Sequence, residues 1–456
     1  MKALILAAGR GERFYPFDAY RAKPMFPVCN RPLLERLLEQ VVATGINQIG
    51  IVVGWQAGSI RSHFSNGNQF ACSITYIEQP SPEGTAAAAV CASEWIGQED
   101  VLVIHGDLLI PDDALPAVVS SFRAQNGGGV AATHEVDNIS EVTSVSSNSN
   151  GALTDYAWKP RGGKGTALTG IYCFSSSLLQ DLANVSEVQK AQFGIAPPLG
   201  KEIAAVIPIC YRDGRSLTRV PVDGPAFDMD YPWQPDTFSN RLVEVLGAEL
   251  SKSRISDSAT VDPSAHIDGP IVVGEHSVIG RNAHIRGPAW IGDRTNVTEG
   301  SHIGRHSMIG DDCVIGPYAK VNGFLGNDCH ITYLGEFRGT MLDGGRVTHQ
   351  IQLSGVFGLG AEIGAGTQCG TLRFDDGPIE VEVLGQRKVA NGFSGVLFGD
   401  YARTGVGALM MPGRIVGPCS MVGAGIVLMK NLPAHKALIL KQETELVDWS
   451  PEIYNR

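Results

Sequence analysis

The sequence contains no run of about 18 consecutive apolar residues, the length a helix needs to cross a bilayer. Met1-Lys2 leads straight into an apolar stretch without a basic-then-apolar leader. Neither a signal peptide nor a membrane span is therefore expected, and the chain reads as cytoplasmic. Positive charge is also in short supply. Against 47 Asp and Glu stand 36 Lys and Arg, a net charge of −11, whereas a nucleic-acid binder should be basic. The nine cysteines (29, 72, 91, 173, 210, 313, 329, 369 and 419) are odd in number and never spaced C-x-x-C. That pattern fits reduced thiols better than disulfides or a zinc site. Aromatics make up only 7% while glycine reaches 55 of 456 residues, which suggests one repetitive, tightly turning half. A chain of 456 residues is long for a single core, so two domains are expected.

Two rhythms divide the chain. Up to about residue 245, apolar strands at 3–6, 49–53, 74–77, 101–104 and 170–174 alternate with helical segments at 32–43 and 85–96. Such alternation predicts an α/β, doubly wound, mostly parallel sheet with its ligand at the carboxyl ends of the strands. Residues 125–129, 144–151 and 161–165 read as loops, the last also as a flap over phosphate. A helix is expected near 236–250. From Ile255 a six-residue step runs Ile255, Val261, Ile267, Val273, Ile279, Ile285, Ile291, Val297, Ile303, Ile309, Ile315 and Val321. It returns at Ile351, Phe357 and Ile363, and again at Phe398, Thr404, Met410, Val416, Val422 and Leu428. A hexapeptide period with an inward aliphatic predicts a parallel β-helix of stacked coils. The expected domains are 1–250, 251–435 and a tail at 436–456.

The chemistry concentrates at the start. Leu6-Ala7-Ala8-Gly9-Arg10-Gly11-Glu12-Arg13 follows the first strand, and Lys23-Pro24 comes ten residues later. The small residues let backbone N–H groups approach an anion, and Arg13 and Lys23 supply fixed positive charge suited to phosphoryl transfer. The spacing matches neither the dinucleotide nor the Walker fingerprint. Gln79 and Gly84-Thr85 flank the third strand and the helix after it, where an amide can pair with a base edge. Asp107 ends the fourth strand, placed for Mg²⁺, and Asp228 or Asp230 offers a second carboxylate.

The segment Leu6–Pro24 resembles the signature of the sugar-phosphate nucleotidylyltransferases, with Phe14-Tyr15-Pro16-Phe17-Asp18 as an unusual filling. The resemblance implies transfer of a nucleotidyl group from a nucleoside triphosphate to a sugar 1-phosphate, with Mg²⁺ as cofactor. Leu6, Ala7, Ala8, Gly9, Gly11, Gln79, Gly84 and Thr85 would bind the nucleotide, and the Gln79…Gly84-Thr85 pattern favours UTP or dTTP. Arg13 and Lys23 would be catalytic. Lys159, Thr169 and Gly170 would bind the sugar phosphate. Asp107 with Asp228 or Asp230 would hold the metal. Trp158 and Leu168 stand where the family usually has Glu and Asn.

The whole chain resembles bifunctional uridylyltransferase/glucosamine-1-phosphate acetyltransferases of archaeal type, through Ile363-Gly364-Ala365-Gly366-Thr367, Phe398-Gly399-Asp400 and Met411-Pro412-Gly413. This implies a left-handed β-helix, acetyl-CoA as a possible co-substrate and a histidine base. His330 opens a segment, H-I-T-Y-L-G, that matches the bacterial catalytic letters. His349 instead has the family's distance of fourteen residues to Ile363, with Arg338 eleven residues upstream as the sugar-phosphate residue. Spacing favours His349, and both remain candidates. Three β-helices packing around an axis would make a homotrimer or larger assembly. Two other readings compete: a single-activity nucleotidyltransferase with a structural β-helix, and a non-catalytic subunit that senses sugar nucleotides.

Overall fold

A computed structural model describes residues 1–125, 128–189, 199–215, 217–222 and 227–447. The expected strands form one side of a mixed nine-stranded sheet. Val101–His105, Lys2–Ala7, Gln48–Val53 and Ser73–Glu78 lie side by side and parallel. Gly165–Phe174 then joins Val101–His105 antiparallel and extends the sheet through Gly129–Val136 and Thr143–Ser147. Alternate residues of the first strand feed two separate cores, as a doubly wound sheet requires. Ala3, Ile5 and Ala7 pack with Leu34, Leu37 and Val118 from helices Leu33–Ala43 and Ala114–Arg123. Leu4 packs with Ala86 and Ala89 of Thr85–Cys91 and with Leu178 on the opposite face. The expected helix 85–96 is broken at Ala92 into Thr85–Cys91 and Ser93–Ile96.

One loop expectation fails. Within 144–151, Thr143–Ser147 is a strand, paired antiparallel with Leu153–Trp158. Ser and Thr suggested a loop there, yet β-tolerant residues beside a free sheet edge form a hairpin readily. Asn148 closes its turn, its side-chain oxygen accepting from Asn150 N–H and Ala152 N–H, each at 3.0 Å. Residues 126–127 of the 125–129 loop lie outside the described residues.

The second half is a left-handed parallel β-helix whose strands make two long sheets of 15 and 10 strands. The six-residue step of the sequence becomes rungs 18 residues apart, as in Val261 beside Ile279 and Ile279 beside Val297. From Val273 to Val321 every six-step aliphatic is at most 2% exposed. Ile255 is an exception at 42%, because the first coil has no coil beneath it. After Val321 the rungs shorten to 16 residues. Strands His302–Ile303 and Met308–Ile309 both pair with a single strand, Lys320–Leu325, so one corner of the coil is lost. Glu336–Met341 and Gln352–Phe357 repeat that strand above it. Gly323, Gly339 and Gly355 stack at the former corner with φ of 145°, 118° and 135°, and a Cβ on any of them would strike the backbone of the next rung.

Helix Gln234–Glu249 lies across these three strands and links the two halves. The filling Phe14–Asp18 turns out to be part of the joint. Phe14, Phe17 and Phe26 meet edge to face at 5.3–5.9 Å. They share a core with Trp233 and Phe238, and with Phe324, Val356, Leu397 and Ile415 of the β-helix. All nine cysteines are unbridged, and only Cys91 and Cys419 are exposed. Among the described residues no helix is long and apolar enough to cross a membrane.

Asp18 sits at this joint. Burial, with repulsion from Glu12 and Asp400 and against its own backbone N–H, pushes its pKa up from 3.8 to about 6. The folded chain then holds this proton more tightly than the unfolded chain. Ionisation above pH 6 costs stability, and the cost fades as pH falls through 6 toward 3.8. Asp18→Asn is therefore expected to raise Tm at pH 7.5 and to gain progressively less toward pH 4.5. An equal gain at both pH values in thermal melts would contradict this account.

Candidate active site

At the carboxyl ends of the parallel strands opens a cavity of about 890 Å³. Leu6, Ala8, Gly9, Arg13, Lys23, Gln79, Gly84, Thr85, Asp107, Lys159, Thr169, Gly170, Asp228 and Asp230 all line it. Ala7 is buried at the end of the first strand, and Gly11 lies against the Lys23 side chain. Gly11 has φ of 67°, and a Cβ there would come within 3.2 Å of Lys23 Cβ. Arg338 and His349 lie elsewhere, on the β-helix. Arg338 adjoins Asp236 of the linking helix, and its charge opposes the burial that raises the Asp236 pKa. His349 is exposed at a corner of its coil.

Lys23 is the centre of the cavity's charge. Its ammonium pairs with Asp107 and stands 3.6 Å from Asp230 and 3.7 Å from Asp228. Burial alone would lower its pKa, but the three carboxylates outweigh burial and raise it. Backbone geometry brings the acids together. Leu108–Leu109 pairs antiparallel with Phe227–Asp228, and Met229 N–H donates to Asp107 O at 3.1 Å. Asp230 is claimed by cations, with Arg13 at 2.8 Å and Lys159 at 4.0 Å. Burial would raise its pKa, but Lys23, Arg13 and Lys159 hold it below the ordinary carboxylate range. Asp228 is half exposed, and its situation is the reverse. Loss of solvent, then Asp107 and Asp230, push its pKa well above the usual range.

The side of the cavity lined by Gln79, Gly84 and Thr85 is fixed by backbone. Gly84 adopts φ of 105°, and a Cβ there would run into the Lys201 main chain. Lys201 N–H donates to Glu83 O at 2.7 Å and Ala86 N–H to Lys201 O at 2.8 Å, bracketing the turn. The Thr85 hydroxyl is already engaged, donating to Glu202 at 2.7 Å and accepting from Ile203 N–H at 3.0 Å. The Gln79 amide is oriented by a 3.4 Å bond to Gly84 O. At the other end, the His105 ring occupies the space where a Cβ of Gly170 would sit, and Gly170 has φ of 85°. Sequence reasoning missed Glu141 and Tyr231. Glu141 accepts from the Tyr231 hydroxyl at 3.2 Å and lies 3.5 Å from Lys159. Tyr231 stacks on Trp233 and takes the Arg13 guanidinium 5.8 Å from its ring centre. Nothing in the sequence around Glu141 marks it.

Residues 2–203 match the family model described as nucleotidyl transferase. Among curated relatives, the "Bifunctional protein GlmU" of Methanococcus maripaludis is 29% identical, over 97% of this chain and 98% of its own. The protein of the same name from Methanocaldococcus jannaschii is 25% identical with the same coverage. The "Glucose-1-phosphate thymidylyltransferase" of Streptomyces antibioticus is 29% identical over 60% of this chain and 73% of its own. The chain is thus similar to bifunctional proteins along almost its whole length.

Gly84→Ala tests the nucleotide turn. The added methyl must displace the Lys201 backbone, so weakened nucleotide binding, by about tenfold or more, and a lower Tm are expected from titration calorimetry and melting. Unchanged affinity would show that the turn does not shape the site.

Proposed function

We propose that the chain transfers a nucleotidyl group from a pyrimidine nucleoside triphosphate, UTP or dTTP, to a sugar 1-phosphate and releases pyrophosphate. The observation that carries this reading is the convergence of Arg13, Lys23, Asp107 and Asp228 in one cavity large enough for both substrates. A sugar-phosphate oxygen attacks the α-phosphorus, a new P–O bond forms, and the bond to the bridging oxygen of the pyrophosphate breaks. The attacking phosphate is already ionised, so no protein nucleophile is needed. Lys23 and Arg13 stabilise the charge that develops, and Lys159 is placed to hold the sugar phosphate. Asp230 holds Arg13, Lys23 and Lys159 in a common arrangement.

The donor set also fits Mg²⁺. Hard carboxylate oxygens suit this ion, which commonly uses one or two carboxylates together with substrate phosphates. Asp228, whose pKa is raised by loss of solvent and then by Asp107 and Asp230, is a carboxylate whose ionised form a cation would favour. We therefore assign Asp107 and Asp228 as the residues that would hold Mg²⁺, and leave Asp230 to the cations. Bound there, the ion supplies Lewis-acid stabilisation of the phosphate oxygens.

Pyrophosphate release with Mg²⁺, measured across four nucleoside triphosphates and a panel of sugar 1-phosphates, tests the reading. Release confined to UTP or dTTP is expected, abolished by EDTA and reduced about 10²–10³-fold in Lys23→Ala. Silence across the panel, or full activity in Asp107→Ala, would refute it.

A second reaction, acetyl transfer in the β-helix, is favoured by full-length similarity to bifunctional proteins and by the surroundings of His349. Gln350 N–H donates to Tyr333 O at 3.1 Å and Gly366 N–H to His349 O at 3.3 Å, so His349 neighbours the Ile363–Thr367 segment on the adjacent coil. His330 stands one coil further back, beside Arg346 and 3.6 Å from Asp328. An amine would attack the acetyl-CoA thioester, the C–S bond would break, and His349 would take the amine proton. Loss of acetyl-CoA consumption in His349→Ala but not in His330→Ala, in an assembly with the mass of three chains, is expected. The opposite pattern would move the base to His330, and a single-chain mass would remove the trimer.

A further inference from the structure

Residues 14–22 join Arg13 to Lys23, and the β-helix grips this loop directly. Arg21 Nη2 lies 2.9 Å from Asp400 Oδ1, with Asp400 fully buried and Arg21 nearly so. Asp400 is itself fixed in its coil. Its Oδ1 accepts Leu359 N–H at 2.8 Å, and its carbonyl accepts Cys419 N–H at 2.8 Å. Around the pair, the Tyr20 hydroxyl meets Cys419 Sγ at 3.0 Å, and the Ala434 backbone bonds the Tyr15 hydroxyl. The other side of the loop is held by its own domain. Trp55 Nε1 donates to Asp18 O at 2.9 Å and Gln56 Nε2 to Ala19 O at 2.5 Å, while Ala22 N–H donates to Ser59 Oγ at 3.3 Å. Two residues beyond Arg21 comes Lys23, the cation at the centre of the cavity.

From this arrangement we propose that Asp400 of the β-helix is a positioning residue for nucleotidyl transfer, acting through Arg21 to set the loop that presents Arg13 and Lys23. The inference rests on the proposed function for its catalytic consequence. A buried ion pair adds little net stability compared with apolar packing, but it does fix geometry, because either charge left alone is costly. Arg21 Nη1 and Asp400 Oδ2 have no further hydrogen-bond partner among the described residues, so each group depends on the other. A second contact points the same way. Hairpin Glu380–Val389 leaves the β-helix and brings Lys388 to 3.7 Å from Glu141, the residue beside Lys159. The β-helix therefore touches the cavity's supports at the phosphate loop and at the sugar-phosphate lysine.

The test uses the full chain. Asp400→Asn keeps the shape and the acceptor for Leu359 N–H but removes the charge. Hydrogen exchange of the peptide covering 14–25, the Kd for UTP with Mg²⁺, and kcat and KM for pyrophosphate release are then measured. Exchange faster by tenfold or more and a UTP Kd and KM raised by tenfold or more are expected. Arg21→Met should reproduce both effects, and Arg21→Met/Asp400→Leu should be no worse than either single change. Ile279→Ala, buried in the coils away from the joint, should lower Tm without altering exchange of the loop or the Kd. Wild-type exchange and Kd in folded Asp400→Asn would overturn the proposal. Should Asp400→Asn fail to fold, Arg21→Lys decides by the same two readouts. If the wild type binds UTP but releases no pyrophosphate, the functional reading fails, while exchange and Kd still judge the role of Asp400.

Discussion

Three carboxylates cannot share one cavity wall unless cations stand among them. Asp107, Asp228 and Asp230 are brought together by backbone pairing that the fold imposes, and Lys23 occupies the space between them. Much of the first domain can be read as the means of keeping that ammonium there. Gly11 leaves room for its stem, the strand ends deliver the acids, and Arg13 neutralises the side of Asp230 that Lys23 does not. The balance is uneven by position: Asp230 is covered by cations, while loss of solvent and the negative charges of Asp107 and Asp230 push Asp228 toward its neutral form. An arrangement in which one acid is over-neutralised and its neighbour under-neutralised separates structural from ligand-binding carboxylates without any difference in residue type.

The same loop carries a second obligation. Between Arg13 and Lys23 the chain must leave the cavity and return, and in doing so it supplies Phe14 and Phe17 to a core shared with the β-helix. The edge-to-face pairs among Phe14, Phe17 and Phe26 contribute about 0.5–1.5 kcal/mol each beyond burial within the first half, and so present a preformed apolar face to Phe324, Val356, Leu397 and Ile415. Residues that stabilise the joint and residues that line the cavity are therefore interleaved on one short stretch of chain. Disturbing one set moves the other.

Local regularity decided what could be read from the sequence. Period-six aliphatics revealed the β-helix because every coil repeats the same burial, and the glycine-arginine opening pointed to a cavity wall because its residues are adjacent in the chain. Fourteen candidate residues line one cavity, and those after the parallel strands, Ala8, Gly9, Gln79 and Asp107, do so because the carboxyl ends of those strands point there. What was not legible depends on contacts between distant positions. Asp400 reads as part of a β-helix motif until Arg21 is seen beside it, 379 residues away. The choice between Asp228 and Asp230 turns on which one Arg13 reaches. Phe14–Phe17 looked like an odd filling because no sequence pattern says what an exposed aromatic run will cover. The strand at Thr143–Ser147 was missed for a simpler reason: its Ser and Thr residues lack the apolar alternation of a half-buried strand.

The loss of a corner in the β-helix explains why the joint can exist. A triangular coil turns sharply every six residues and offers only narrow faces to a partner. Where the rungs shorten from 18 to 16 residues, two faces run together as six-residue strands, bent at Gly323, Gly339 and Gly355. Side chains would block that bend, since each Cβ would meet the main chain of the next rung, so the glycines are required by stacking and not only by φ. The outcome is a broad surface on which helix Gln234–Glu249 lies, and beside which Phe324 and Val356 face the aromatics of the phosphate loop. A uniform repeat would have built a longer and more regular solenoid, but it would have provided no seat for the linking helix. The interruption in the hexapeptide period is thus the feature that gives the linking helix its seat.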